Sequence, residues 1–260
     1  MANKNKRLTV ALAVYNEEKN IRRCLMSVRD LADEMVVVDG GSTDGTVHIA
    51  KELGATVIVT DNPKMFHTNK QKALDASHGE WILQLDADEV VGKELRNEIR
   101  NILSNPSPDD GYFIPRKNYF LGHWLRKGGQ YPDRVIRFFK NGKGSFPQKS
   151  VHEQITIAGR VGVLNHALLH YSYESIQQYW EKSGTYIRLT ADTLRKGHQL
   201  GKFGTWVSFM VAKPLMTFFL LFFRHKGFVD GWYGFLFALF SALHFPKAYM
   251  LARSTDGETL

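Results

Sequence analysis

The chain has 260 residues, 43% of them hydrophobic and 23% charged, which allows a full-sized core and argues against wholesale disorder. Lysine and arginine number 34 against 26 aspartates and glutamates. The resulting charge of +8 suits nucleic acid, an anionic membrane or a phosphorylated substrate as partner. A lone cysteine, Cys24, excludes an intrachain disulfide and reads as a buried structural thiol. The opening MANKNKRLTVALAVYNEE has a short apolar run and no small-residue cleavage site, so a secretory signal is not expected and the folded part is placed in the cytoplasm.

Residues 8–14 (LTVALAV) predict a short buried strand. Asn16 is then placed to N-cap a helix with Glu17 and Glu18 in its first turn and Ile21, Leu25 and Val28 on its apolar face. Residues 35–38 (MVVV) predict a second strand, ended by Asp39 and a glycine-rich turn. A helix from about Thr46 stops at Gly54, and residues 55–60 (ATVIVT) predict a third strand. A helix near Lys70–Ser77, closed by Gly79, leads to a fourth strand at 81–85 (WILQL). Alternation of this kind predicts an α/β domain with a mainly parallel sheet flanked by helices. Right-handed crossovers bring the C-terminal strand ends to one edge, where open α/β sheets bind ligands, so Asp39 and Asp86 should face one crevice.

The turn-rich NPSPDDG opens a middle part, about 105–170, with strand-like pieces YFIPR, RVIRFF and HEQITI. A helix is expected from Ser175 to Lys196, followed by two strongly apolar stretches, 203–223 and 227–245. The domain reading is 1–175 as one α/β domain, divided into 1–104 and 105–175, with 176–260 as a helical C-terminal region.

Three segments carry the chemistry: VYNEE (14–18), DGGSTDGT (39–46) and LDADE (85–89), each after a strand. In this order they resemble the family 2 glycosyltransferases of the GT-A fold. The K-Q-x-A-L segment at 70–74 and VHE at 151–153 are similar to the bacterial lipopolysaccharide-core β-glucosyltransferase group. The resemblance covers roughly residues 8–175, and the tail by general character. It implies a nucleotide-sugar donor, most simply a UDP-sugar, bound at Ala13, Val14, Tyr15, Glu17, Asp39, Gly40, Lys70, Asp86 and Ala87. Asp39 resembles the aspartate that reads the base, and a carboxylate can accept from a uracil N–H. Glu17 has two readings, a contact to base or ribose and a charge at a helix N-terminus. Asp44 is a supporting residue or a helix cap. Lys70 faces the diphosphate or belongs to a solvated helix face, and Lys72 reads as surface.

In an extended segment alternate side chains share a side, so Asp86 and Asp88 can point the same way and hold Mg²⁺ or Mn²⁺, hard cations that bind phosphate oxygens. By resemblance Asp88 is the more direct ligand and Asp86 lies nearer the ribose and metal; His152 and His170 are candidates to touch the metal or diphosphate, with a structural role the competing reading. Family 2 enzymes usually invert, which requires a base on the acceptor side. Glu153 of VHE is preferred, although the common Glu-Asp form is missing here, and Asp133 of PDR is the alternative base or an ion-pair partner of Arg134. Arg134 and Arg137 could grip an acceptor phosphate and Trp124 could stack on a sugar, with core packing the competing reading for Trp124 and Trp81.

Basic residues among aromatics in the tail suit helices lying in the interface of an anionic membrane, with a re-entrant or spanning hairpin, and a dimer interface or core packing, as competing readings. They do not form a nucleic-acid reading motif, so no nucleic acid is expected as partner. The expected function is inverting transfer of a hexose, such as glucose, from a UDP-sugar to a lipid-linked saccharide such as lipopolysaccharide core. The site would work peripherally on the cytoplasmic face of the bacterial inner membrane. A polyprenyl-phosphate acceptor and a non-catalytic sugar-binding membrane scaffold are the rivals. A homo-oligomer is compatible with the sequence.

Overall fold

The computed structural model describes residues 6–63, 67–147, 154–197 and 200–254. Chain contacts divide it into two compact units, residues 1–116 with 134–170, and residues 117–133 with 171–260.

The first unit is built on the expected alternation: β1 (Leu8–Val14), α1 (Glu18–Val28), β2 (Glu34–Asp39), α2 (Thr46–Glu52), β3 (Thr56–Val59), α3 (His67–Asp75) and β4 (Trp81–Leu85). Two elements that the sequence reading did not predict follow: the two-residue β5 (Glu89–Val90) and α4 (Lys93–Ser104). The signal for α4 was present, since Leu95 and Ile99 are buried and Ile102 packs on the same core. The strand-like middle becomes β6 (Gly111–Phe120), β7 (His123–Trp124), β8 (Asp133–Lys140), β9 (Gly144–Ser145), β10 (Thr156–Ile157), β11 (Val161–Val163) and β12 (Leu168–Tyr173). The large sheet runs β3-β2-β1-β4-β8-β6-β12-β5, with β7 and β11 also on β6.

β1, β2, β3 and β4 are mutually parallel, and the antiparallel β8 pairs beside β4. The register puts Val14 against Asp39 and Leu12 against Leu85. The ends of β2 and β4 therefore flank β1 on one edge, about 10 Å apart at two strand spacings. The apolar strands are buried because both faces are covered, with Leu12, Val37, Leu83 and Leu85 in a core against Ile21, Leu25 and Val28 of α1. Cys24 belongs to that core, as expected, and burial pushes its thiol pKa well up.

Two local expectations change. Asn16 is not the N-cap: Glu17 holds that position, and Asn16 sits in the left-handed region at φ +53, which asparagine tolerates. Gly54 ends α2 with φ +87 as expected, but Gly79 lies four residues beyond the end of α3 and serves close approach instead. Its N–H donates to Thr9 Oγ1 at 2.8 Å, and a Cβ there would lie 2.5 Å from the Thr9 nitrogen.

In the second unit, α5 (Ile176–Lys196) is capped by Ser175, which accepts from the Gln178 N–H. A continuous helical run, α6 (Phe203–Arg224), passes through Pro214 without breaking. A π-helical turn at Ser208–Ala212 precedes that proline, and such turns absorb the missing hydrogen bond of its ring nitrogen. A 3₁₀ turn, Gly227–Asp230, leads to α7 (Gly231–Arg253), which continues beyond the expected end and through Pro246.

Replacing Gly79 by alanine should cost about 1–3 kcal/mol, because the new methyl meets backbone that cannot yield. Urea unfolding should show a lower midpoint at an unchanged m-value, and an unchanged midpoint would show that β1 can move away.

Candidate active site

The loops after β1 and β2 fasten to each other. The Asn16 N–H donates to Ser42 Oγ at 2.8 Å, and Asn16 Oδ1 accepts from the Thr43 N–H at 2.9 Å. The Glu17 N–H donates to Thr46 Oγ1 at 2.8 Å, while Glu18 accepts from the Gly45 N–H at 3.0 Å. Asp44 accepts from the N–H groups of Glu18 and Thr46 and from Thr46 Oγ1. It therefore supports the start of α2 from one residue before the N-cap, Gly45, and these hydrogen bonds, acting against partial burial, lower its pKa. VYNEE and DGGSTDGT, 25 positions apart in the chain by Val14 and Asp39, thus become one polar surface.

Asp39 is fully buried at the base of this surface and accepts from the N–H groups of Gly41 and Ser42 at 2.9 and 2.8 Å and from Ser42 Oγ. A carboxylate offers about four acceptor positions, and three of them are filled here from its own loop. Gly41 has φ +82, and a Cβ on Gly40 would press on Asn62 at 3.2 Å. Val14 is buried, Ala13 half-buried and Tyr15 exposed at the rim. Glu17 accepts from Asn20 Nδ2 at 2.8 Å.

The segment after β4 is a turn, not an extended strand, closed by the Glu89 N–H donating to the Asp86 carbonyl at 3.0 Å. The expectation that alternation aligns Asp86 with Asp88 is corrected accordingly. Asp86 is held by Lys70 on one oxygen and Arg137 on the other. Arg137 is buried and also donates to Gln84 and, at 2.9 Å, to Glu89. Glu89, fully buried, further accepts from the Asp86 N–H at 2.9 Å and faces Arg116 at 3.4 Å. Burial works to raise the Asp86 pKa, but the charges of Arg137 and Lys70 outweigh it and hold the carboxyl well below its ordinary range. Burial likewise opposes the charge of Arg137, and Asp86 and Glu89 overcome it and raise its pKa. Arg137 is therefore not an acceptor contact at the surface: its guanidinium is committed inside the sheet. Arg134 is exposed.

Asp88 is buried and lies 3.5 Å from His170 Nε2, on a strand whose His170 pairs with Glu89. Ala87 between the two aspartates is buried. Among the described residues no group of three or more His, Cys, Asp or Glu converges as a metal cage. That donor set still fits Mg²⁺ or Mn²⁺, which commonly take one or two carboxylates and complete their shell with water and substrate phosphates. Lys70 stands with Asp86, so that cation and both aspartates share the end of β4. Lys72 reaches Thr60 instead.

Other expected residues lie elsewhere. His152 and Glu153 fall outside the described residues. Asp133, in the second unit, accepts from Asn118 Nδ2 at 3.1 Å. Trp124, in the same unit, carries Lys117 Nζ 4.6 Å over its ring and Tyr131 edge-on at 5.3 Å. Its Nε1 is buried and has no hydrogen-bond partner among the described residues. Trp81 is core, stacked on Phe138 at 4.6 Å. The sequence reading gave Glu89, Gln84 and Arg116 no role. The available signal was Arg137 itself: an arginine inside the apolar strand RVIRFF requires a buried anion.

Arg137→Met should cost about 3–5 kcal/mol, since it leaves the buried Glu89 beside the half-buried Asp86 with less positive charge. A depressed carboxylate pKa stabilises above its unfolded value, here 3.8, and loses that effect as pH falls through the folded value. The gap between wild type and variant in urea should therefore be full at neutral pH and shrink below about pH 4. A gap independent of pH would contradict this account of the network.

The sequence pattern of Glycosyl transferase family 2 matches residues 9–163. An uncharacterized glycosyltransferase of Rickettsia typhi is 31% identical over 261 residues, covering 95% of this chain and 86% of its own. The lipopolysaccharide core biosynthesis glycosyltransferase LpsC of Rhizobium meliloti is 28% identical over 257 residues, covering 94% and 93%. Among solved structures, S. aureus TarS 1-349 in complex with UDP-GlcNAc aligns with a TM-score of 0.48 at 19% identity, covering 92% of this chain and 82% of that one. With its three motifs at the ends of β1, β2 and β4 inside the matched region, the chain belongs to glycosyl transferase family 2 and has the GT-A fold.

Proposed function

We propose that this enzyme transfers a hexose from a UDP-sugar to a lipid-linked saccharide, with inversion, at the cytoplasmic face of a bacterial inner membrane. The observation that carries the reading is the single sheet edge holding the latched loops, Asp39, and the Lys70–Asp86–Asp88 group. Asp39 would accept from a base N–H, and Gly40 and Gly41 allow close approach. Lys70 is a point charge suited to the diphosphate as well as to Asp86. A divalent ion held by Asp88 with His170, near Asp86, would neutralise negative charge on the departing nucleoside diphosphate. The protein's remaining tasks are to orient the donor and to supply a base. An acceptor hydroxyl attacks the anomeric carbon, the bond to the diphosphate oxygen breaks, and Glu153 takes the hydroxyl proton. Asp133 is the alternative base.

The lipid-linked acceptor is supported by the name of LpsC, a lipopolysaccharide core enzyme, and by the character of the second unit. α6 and Gly227–Arg253 are each long and apolar enough to cross a membrane, and only 6% of the most apolar part of α6 is buried. Phe203, Leu215, Met216 and Phe219 are exposed, an apolar surface of the kind that marks contact with lipid or protein. Polar protein nevertheless runs along α7. Thr190 of α5 meets His244 at 3.0 Å, and Arg195 donates to the Leu251 carbonyl at 2.8 Å. At the other end Asp230 binds the loop 123–127. A helix fixed to polar elements at both ends suits a position in the membrane interface rather than through it.

The test is release of nucleoside diphosphate from UDP-, GDP- and ADP-sugars in detergent, with lipopolysaccharide-core and polyprenyl-phosphate acceptors. Turnover with a UDP-sugar and core acceptor is expected. Glu153→Gln should lower kcat by about 10²–10⁴ with little change in donor KM, and Asp133→Asn should act far less. The reverse order would move the base to Asp133, and turnover with polyprenyl phosphate alone would replace the acceptor.

A further inference from the structure

The turn between α6 and Gly227–Arg253 is built around one buried carboxylate. Asp230 is 4% exposed and accepts from the Lys127 N–H at 2.8 Å, the Arg126 N–H at 3.2 Å and Arg126 Nε at 3.3 Å. Its Oδ1 also lies 3.4 Å from His123 Nε2, whose ring stacks on Tyr233 at 4.6 Å. The Gly128 N–H adds a bond to the His225 carbonyl at 2.9 Å. Gly234 lets the turn close, since a Cβ there would overlap the Gly227 carbonyl.

The clamp has a chemical consequence. It sets the loop carrying the exposed Arg126 and Lys127 against the turn carrying the exposed Arg224 and Lys226, with Arg126 Nε itself on Asp230. The Asp230 carboxylate that joins loop and turn is withdrawn from solvent. Around them Phe223, Phe228 and Trp232 are 50%, 50% and 66% exposed. Cations exposed on this loop and turn, together with the exposed rings, match a surface that is anionic at the phosphate level and apolar just beneath.

We propose that this turn, with loop 123–127 clamped to it by Asp230, is a binding site for the phosphate headgroups of anionic lipids. It sets where the second unit meets the membrane and rests on the peripheral-membrane reading above. The occupant is the lipid headgroup, because the rings beside the cations require an apolar layer that free phosphate lacks.

The experiment is flotation of the full-length protein with phosphatidylcholine vesicles, with and without phosphatidylglycerol. The variant R126Q/K127Q/R224Q/K226Q should lose affinity for the anionic vesicles by about fivefold per cation removed and keep its weaker binding to neutral ones. A charge-matched control, K19Q/K51Q/K93Q/K143Q, should lose far less. Equal losses in the two variants would show that net charge alone acts and would overturn the site. Asp230→Asn gives a second arm with the opposite sign to bulk electrostatics. It makes the protein more positive, yet releasing the loop should weaken binding to anionic vesicles, and stronger binding would overturn the clamp. Thermal melting checks that this variant folds, and the surface variant decides the matter if it does not. Inorganic phosphate at fixed ionic strength should displace the protein no better than chloride, and selective displacement would overturn the lipid assignment. Absence of wild-type binding to either vesicle would overturn the membrane reading itself.

Discussion

A guanidinium taken out of water is tolerated only when carboxylates meet it on several sides. Arg137 is in that position between Asp86, Glu89 and Gln84, and the edge of the first unit is arranged around it. It lies on β8, antiparallel to β4, and reaches the turn that follows β4. That turn would otherwise be a run of carboxylates, Asp86, Asp88 and Glu89, repelling one another. Arg137 and Lys70 hold Asp86, Arg137 and Arg116 neutralise Glu89, and Asp88 stands beside His170. Charge balance of this kind fixes the turn before any ligand arrives, which is how a site avoids the cost of ordering itself during binding.

The latch between the loops after β1 and β2 extends the same logic without charge pairs. Short side chains of Asn16, Ser42 and Thr46 satisfy backbone N–H groups of the facing loop. Backbone donors at strand ends need partners, and here each loop supplies the other's. The result is a rigid rim beside Asp39, whose three internal hydrogen bonds fix its carboxylate at the end of β2.

Much of this was legible in the residues. The parallel strands and the helix faces follow from apolar periodicity, and the shared edge of Asp39 and Asp86 follows from crossover handedness. The local chemistry of the turn was not legible, because alternation assumes an extended chain and the hydrogen bond from Glu89 to Asp86 makes a tight turn. The position of Arg137 was misjudged for a related reason: phosphate-gripping and core-bracing arginines look alike until the facing strand is known. Helix α4 was missed although Leu95 and Ile99 carry its period. Asp230 gave no local signal, since its partners on the 123–127 loop lie about a hundred positions earlier in the chain. Apolar character announced the tail, but the polar attachments that define its setting are tertiary.

On the proposed function, the β1–β2–β4 edge would hold a nucleoside diphosphate through a divalent ion at Asp88. Calorimetric titration of UDP into the full-length protein, with Mn²⁺ and with chelator, tests it most directly, with Asp88→Asn in parallel. Binding is expected to require Mn²⁺ and to be lost in the variant while the fold is retained. Equal binding in chelator, or full Mn²⁺-dependent binding by Asp88→Asn, would contradict it.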